Sequence, residues 1–194
     1  MKRVWIMILL AALLLCGCGG AEPAADPHPD WPEAWFRVHP ELGVEKPEGF
    51  DFNESNDVMS MSGLYYATWT AGAGREITNP QGREAVVYDA QFYVLVKECR
   101  DAAEAEADVA DWLDREQGSY ESSELRSLTA AGQEWRLLPL TAPKSENPYH
   151  HGAAAFAVRG GNAISAELLC AEGWQGDPMA ALEAFLSGFH YGTP

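Results

Sequence analysis

From Glu84 to Cys99 the side chains alternate with period two, and no other stretch restricts the fold as much. Val86, Tyr88, Ala90, Phe92, Val94 and Val96 fall on one side of an extended chain. Val87, Asp89, Gln91, Tyr93, Leu95 and Lys97 fall on the other. A helix would scatter this pattern around its axis, because its side chains repeat every 3.6 residues rather than every two. The run is therefore a strand. It needs strand partners for its backbone, and the sheet they form needs cover. Gly63 to Ala71 supplies one partner, since Leu64, Tyr65, Tyr66, Thr68 and Trp69 are strong strand formers. Between the two, Asn79-Pro80-Gln81-Gly82 has turn chemistry. The expectation is an antiparallel hairpin with a long polar connection.

The cover comes from two predicted helices. Asp101 is an N-cap with Glu104 three residues on, and Ala102, Ala105, Val109, Trp112 and Leu113 recur at helical spacing as a buried stripe. Glu116 continues that spacing, and the opposite face carries Glu104, Asp108, Asp111 and Asp114. Near the C-terminus, Asp177-Pro178 places an N-cap before a proline at the first helical position. The helix it starts would bury Met179, Leu182, Phe185, Leu186 and Phe189, with Gly188 ending or weakening it. Two further hairpins lie between the helices. Ser122–Thr129 and Glu134–Leu140 join across Ala130-Ala131-Gly132-Gln133. Ala153–Arg159 and Ala163–Cys170 join across Gly160-Gly161-Asn162, which suits positive φ. Ahead of the sheet, Asp30-Trp31-Pro32-Glu33 predicts a short helical turn packed by Trp31, Trp35 and Phe36, and Pro40 to Val58 an irregular lead-in.

The element order is strand, strand, helix, four strands, helix. It predicts an α+β fold, an antiparallel sheet of about six strands covered by two helices. Over residues 45 to 191 the order resembles the PsbP-like sandwich. Leu128 to Trp135 corresponds to its central hairpin and Phe185 to Phe189 to its closing helix. The resemblance lies in element order, not in a set of functional residues, so it implies a fold and no activity.

Met1 to Gly20 is of another kind. Lys2 and Arg3 precede an unbroken apolar run from Val4 to Leu15. A membrane-crossing helix needs roughly 20 such residues, so the run has the length of a signal-peptide core. Leu15-Cys16-Gly17-Cys18 follows and resembles the lipobox of bacterial lipoproteins. Cys16 would place bulky Leu15 before the cut. Cys18 has two small residues, Gly17 and Cys16, ahead of it, so Cys18 is the expected lipidation site. A plain secretory cut near Ala21 or Ala25 is the competing reading. Two acyl chains meet the requirement for stable anchoring. The expected domains are a lipoprotein signal peptide at 1–17, a lipidated N-terminus and Pro-containing linker at 18–30, and one extracytoplasmic α+β domain at 31–194. The expected location is the cell membrane, lipid-anchored and facing the extracytoplasmic side.

Charge narrows the partners. Without Lys2 and Arg3, 11 basic residues face 29 acidic ones. Nucleic acid is a poor partner for such a surface, since phosphate contacts need Lys and Arg. An anionic membrane surface would repel it. After export, Cys99 and Cys170 are the pair left for a disulfide, in a compartment where one persists. They could equally be two separate buried thiols.

No pattern calls for a metal or cofactor. Asp51, Asn53, Ser55 and Asp57 resemble half of a calcium loop, but Asn56 and Ser62 stand where it needs Gly and Glu. His150 and His151 are adjacent and would point to opposite faces of a strand, and Pro148 suggests an exposed loop. His28, His39 and His190 have no partner at a diagnostic spacing. There is no nucleophile elbow and no phosphate loop. The carboxylates of the first helix form a row rather than a pair across a cleft. The many Trp residues suit packing, although in a groove they could stack on sugars or peptide side chains. The expected role is a non-catalytic binding or scaffolding module of the cell envelope, with an envelope protein or extracellular ligand as partner. An unrecognised envelope-acting hydrolase is the alternative.

Overall fold

The computed structural model describes residues 31–32, 35–56, 62–78, 82, 84–122 and 124–192. The signal peptide, Cys18 and the linker lie outside the described residues. So do Asp30, Glu33, Asp57 and most of the predicted turn at 79–82.

The strands are β1 Trp35–His39, β2 Leu42–Glu45, β3 Asp51–Ser55, β4 Leu64–Ala71, β5 Arg75–Thr78, β6 Glu84–Val87 and β7 Ala90–Glu98. After helix α1, Ala102–Ser119, come β8 Tyr120–Ser122, β9 Arg126–Ala130, β10 Gln133–Pro143, β11 Tyr149–Arg159 and β12 Asn162–Ala171. Helix α2, Pro178–Ser187, and β13 Phe189–Tyr191 follow. The fold is a mostly antiparallel sheet with two helices. The main sheet has eight strands rather than six, in the order β3-β4-β7-β12-β11-β10-β8, with β9 also paired to β10. β1-β2-β13 and β5-β6 form two small sheets of their own.

The long alternating run is broken. Ala90, Phe92, Val94 and Val96 are buried on one face, as the pattern predicts. At Tyr88-Asp89 the backbone leaves the ladder: Asp89 donates its N–H to Ala71 O at 3.0 Å, and its carbonyl accepts from Ala171 N at 2.8 Å. The faces swap across this step, so that Val87 is buried while Val86 is 50% exposed. The long connection of the expected hairpin thus holds a hairpin of its own, β5–β6.

Both faces of the main sheet are covered. On one, Trp69, Phe92, Val94 and Leu168 pack beneath Leu182, Phe185 and Leu186 of α2 and beneath Val38, Leu42 and Val44 of the small sheet. On the other, Ala105, Val109 and Trp112 of α1 rest on Leu138, Ala154 and Phe156. Burying these side chains is the main force holding the layers together. The helix signals were sound: Asp101 accepts from Glu104 N at 2.9 Å, and Asp177 accepts from Met179 N at 2.9 Å and Ala180 N at 3.3 Å. Ala102 is exposed rather than part of the stripe, and Leu113 is half-buried.

Other expectations need correction. Trp35 and Phe36 lie on a strand, not a helical turn, and the irregular lead-in contains β2 and β3. Tertiary pairing decides here, because β2 lies hydrogen-bonded between β1 and β13. The stretch 122–129 divides into β8 and β9, and Phe189 belongs to β13 instead of the closing helix.

Candidate functional site

A cleft of 260 Å³ opens where the small sheet meets the end of the β11–β12 hairpin. Its floor is apolar: Leu42 from β2, Val96 from β7 and Ile164 from β12, all at most 3% exposed. Its polar wall comes from Arg159, Asn162 and Tyr191, with His39 to one side. The hairpin places two of these. Gly160 and Gly161 have φ of 57° and 83°, the left-handed pair that a two-residue turn requires. Arg159 and Asn162 are the last and first strand residues on either side of that turn and stand opposite one another. Tyr191 arrives on β13, whose short ladder with β2 fixes it beside Leu42.

Three polar side chains of the wall have no hydrogen-bond partner among the described residues. The Arg159 guanidinium lies 4.1 Å from the centre of the Tyr191 ring and pairs with no carboxylate. Lys97, Arg100 and Arg136 each hold one. Arg75, Arg115 and Arg126 hold none either, but they are exposed, whereas Arg159 is half-buried. The Tyr191 hydroxyl is buried without a hydrogen bond. Burial pushes its pKa up, and the Arg159 charge offsets only part of that, so it remains a protonated donor. The Asn162 amide makes no hydrogen bond with a described residue. Arg159 and Asn162 are half-buried, so their donors stay open to the cleft, while the Tyr191 hydroxyl is closed off from it.

His39 is a component that sequence spacing missed. It is buried, its Nδ1 accepts Glu41 N–H at 3.1 Å, and its Nε2 faces Glu98 Oε1 at 3.2 Å. Accepting a backbone N–H leaves Nδ1 without a proton, so the ring proton sits on Nε2 and is donated to Glu98. Tyr65 donates to the same Glu98 oxygen at 3.3 Å and meets the His39 ring edge to face. Both ring nitrogens are occupied. In this geometry His39 shapes the wall and has no free nitrogen with which to take a proton from a substrate. Glu98 is 59 residues away in sequence, too far for any spacing rule to reveal.

A second, shallower opening of 390 Å³ shares Arg159 and Tyr191 and is walled by Trp31, Trp35 and His190. The Trp35 and His190 rings stack 3.4 Å apart and 2° from parallel. Trp31 meets Trp35 edge-on at 5.8 Å. Trp69, Trp112 and Trp135, by contrast, are buried in the core.

The other candidates do not converge. Cys99 and Cys170 are free. Cys170 stands opposite Ala90 at one end of β7, and Cys99 follows Glu98 at the other, about 30 Å away at the rise of an extended chain. A disulfide needs Cα atoms within about 7 Å, so this fold does not bridge them. Cys99 donates to Asp108 Oδ2 at 3.2 Å, and burial, followed by that bond, raises its pKa. Cys170 lies in the core, where burial pushes its thiol up to about 12. Asp108 and Glu104, on the acidic face of α1, are held by Lys97 and Arg100. The calcium-like segment is strand β3, in which Asp51 pairs with Lys46 at 2.9 Å and Asn53 donates to Thr68 at 3.2 Å. No group of three or more metal-ligating residues forms among the described residues. His150 and His151 follow Tyr149 at the start of β11 rather than lying in a loop. The groove at His150 has one carboxylate in its lining, Glu146, which is exposed.

No family model matches the chain, and no curated protein matches it. Among solved structures it is similar to the solution structure of cyanobacterial PsbP (CyanoP) from Synechocystis sp. PCC 6803. The two are 15% identical with a TM-score of 0.39, covering 71% of this chain and 98% of that one. Nothing functional follows from a likeness at that level. Among the described residues no helix is long and apolar enough to cross a membrane.

Proposed function

We propose that the chain is a lipid-anchored, extracytoplasmic binding module whose site is the cleft at Arg159. The observation that carries this is the half-buried arginine left without a carboxylate among the described residues, in a chain where acids outnumber bases 29 to 13. Unsatisfied donors over an apolar floor are the features of a ligand pocket. The volume lies just below the roughly 300–1,000 Å³ of drug-sized sites, so the ligand is a small molecule. The engaged nitrogens of His39 favour binding over hydrolysis. The finer fold reading, a PsbP-like sandwich, belongs to this proposal and is supported by the run of elements from paired strands through α1 to α2.

Two experiments test it. For the anchor, Cys18→Ala is expected to move the protein from the membrane fraction to the soluble extracytoplasmic fraction and to remove the acyl mass. A variant that stays membrane-bound at unchanged mass overturns the anchor. For the module, the full lipidated chain in detergent is incubated with a small-molecule extract of the extracytoplasmic fluid and weighed by native mass spectrometry. An adduct is expected that Asn162→Trp, which closes the mouth from the edge of a turn, removes. Identical spectra for the two proteins count against a binding role for the cleft.

A further inference from the structure

Resting on the cleft as a binding site, we propose that its ligand class is the small organic monocarboxylate, its charge held by Arg159 and its apolar body on Leu42, Val96 and Ile164. Among the described residues, two groups of the wall without a hydrogen-bond partner offer protons to an acceptor. Arg159 presents a guanidinium fork and the Asn162 amide presents N–H donors. A carboxylate is an acceptor with two oxygens and roughly four lone-pair sites, and a guanidinium meets it in two parallel hydrogen bonds. The Tyr191 ring lies 4.1 Å beneath the guanidinium and holds Arg159 in the wall.

Charge selects one negative unit rather than two. Among the described residues, the cleft lining holds one permanent cation, Arg159, and one carboxylate at the rim, the exposed Glu41. Glu98 lies behind His39. A phosphate dianion would set its second charge against Glu41, Glu98 and a chain of net charge −16. The floor argues against a purely polar anion. Leu42, Val96 and Ile164 give it no hydrogen-bonding side chain, so small inorganic anions would leave that apolar surface unfilled. Covering it contributes to affinity in proportion to the area removed from water.

The test uses the full lipidated chain in detergent and three probes: 4-methylpentanoate, its neutral amide 4-methylpentanamide, and inorganic phosphate, each titrated calorimetrically. The carboxylate is expected to bind at least about tenfold more tightly than the amide and the phosphate, the size of one charge-assisted hydrogen bond. Arg159→Gln and Asn162→Asp are each expected to weaken the carboxylate about tenfold or more and to weaken the amide by less, so that the preference for the carboxylate shrinks. Asn162 sits at a surface turn, so its variant keeps the test decisive if Arg159→Gln fails to fold. Amide binding equal to carboxylate binding overturns the anionic class while leaving a pocket that binds. Tighter binding of phosphate overturns the single-charge assignment. If none of the three binds, the monocarboxylate proposal is wrong, and the adduct experiment with Asn162→Trp then decides separately whether the cleft binds anything.

Discussion

Gly152→Ala is expected to cost the domain about 3 kcal/mol or more, enough to lower its melting temperature by roughly 6–12 °C or to abolish soluble expression. Gly152 pairs with Leu169 in the β11–β12 ladder, next to the irregularity between Tyr149 and His151. A Cβ there would lie 2.2 Å from the Leu168 carbonyl oxygen and 3.3 Å from the Leu169 Cα. Both obstacles are backbone, so no side-chain rotation relieves the clash. β12 cannot retreat either, because its other edge is hydrogen-bonded to β7 from Asn162 to Cys170. The matched control is Gly118→Ala in α1, where nothing lies within 4 Å of the added carbon. It should be neutral or stabilising by up to about 1 kcal/mol, since Ala is the better helix former. Thermal melts of the two variants side by side check this. Equal melting temperatures would mean that the β11–β12 contact is looser than described.

Glu167→Gln carries the second large effect, and its sign depends on pH. Glu167 projects from β12 beside Tyr93 of β7, against the C-terminal part of α1. Burial raises its pKa first, and the nearby Glu116 carboxylate raises it further. A hydrogen bond from Ser165 at 3.4 Å and the Arg115 charge pull back. The result is about 7 against an ordinary 4.5. Glu116 is also raised, chiefly by burial. Between those two values the folded chain keeps a proton that the unfolded chain has released. Stability from this group is therefore fully present below about pH 4.5 and is lost as pH rises through about 7. At 1.36 kcal/mol per unit the loss is about 3 kcal/mol. Glutamine cannot ionise, so the variant should melt on the order of 5–10 °C higher than the parent at pH 8. The gap should close towards pH 4.5. Scanning calorimetry across that range reads it directly. A variant less stable than the parent at pH 8 would show that the charged carboxylate is held by a favourable partner.

The long strands were legible because their patterns are local. Ala90 to Val96 alternates and is buried as written, and the caps at Asp101 and Asp177 have the residue types that accept helix N–H groups. The break at Tyr88-Asp89 was hidden because Val86 and Tyr88 continue the alternation on paper. What turns the chain there is bonding of Asp89 to Ala71 and Ala171, which lie on other strands. β1, β2 and β13 are three to five residues long. Strands that short carry little propensity of their own, and mutual pairing creates them. The cleft was illegible for the same reason. His39, Leu42, Val96, Arg159, Asn162 and Tyr191 come from widely separated segments, with no motif linking them. One local signal did point towards it: Gly160-Gly161 fixes a tight turn, and a tight turn fixes the two residues that flank it.

A ligand seated in the cleft at Arg159 would perturb the backbone amides around it, and those amides can be followed one by one. The isotope-labelled full chain in detergent is titrated with 4-methylpentanoate while amide resonances are followed. Saturable shifts are expected, concentrated at Gly160, Asn162, Ile164, Tyr191 and Gly192. Saturable shifts concentrated at the His150 groove instead would place binding elsewhere and overturn the cleft as the site.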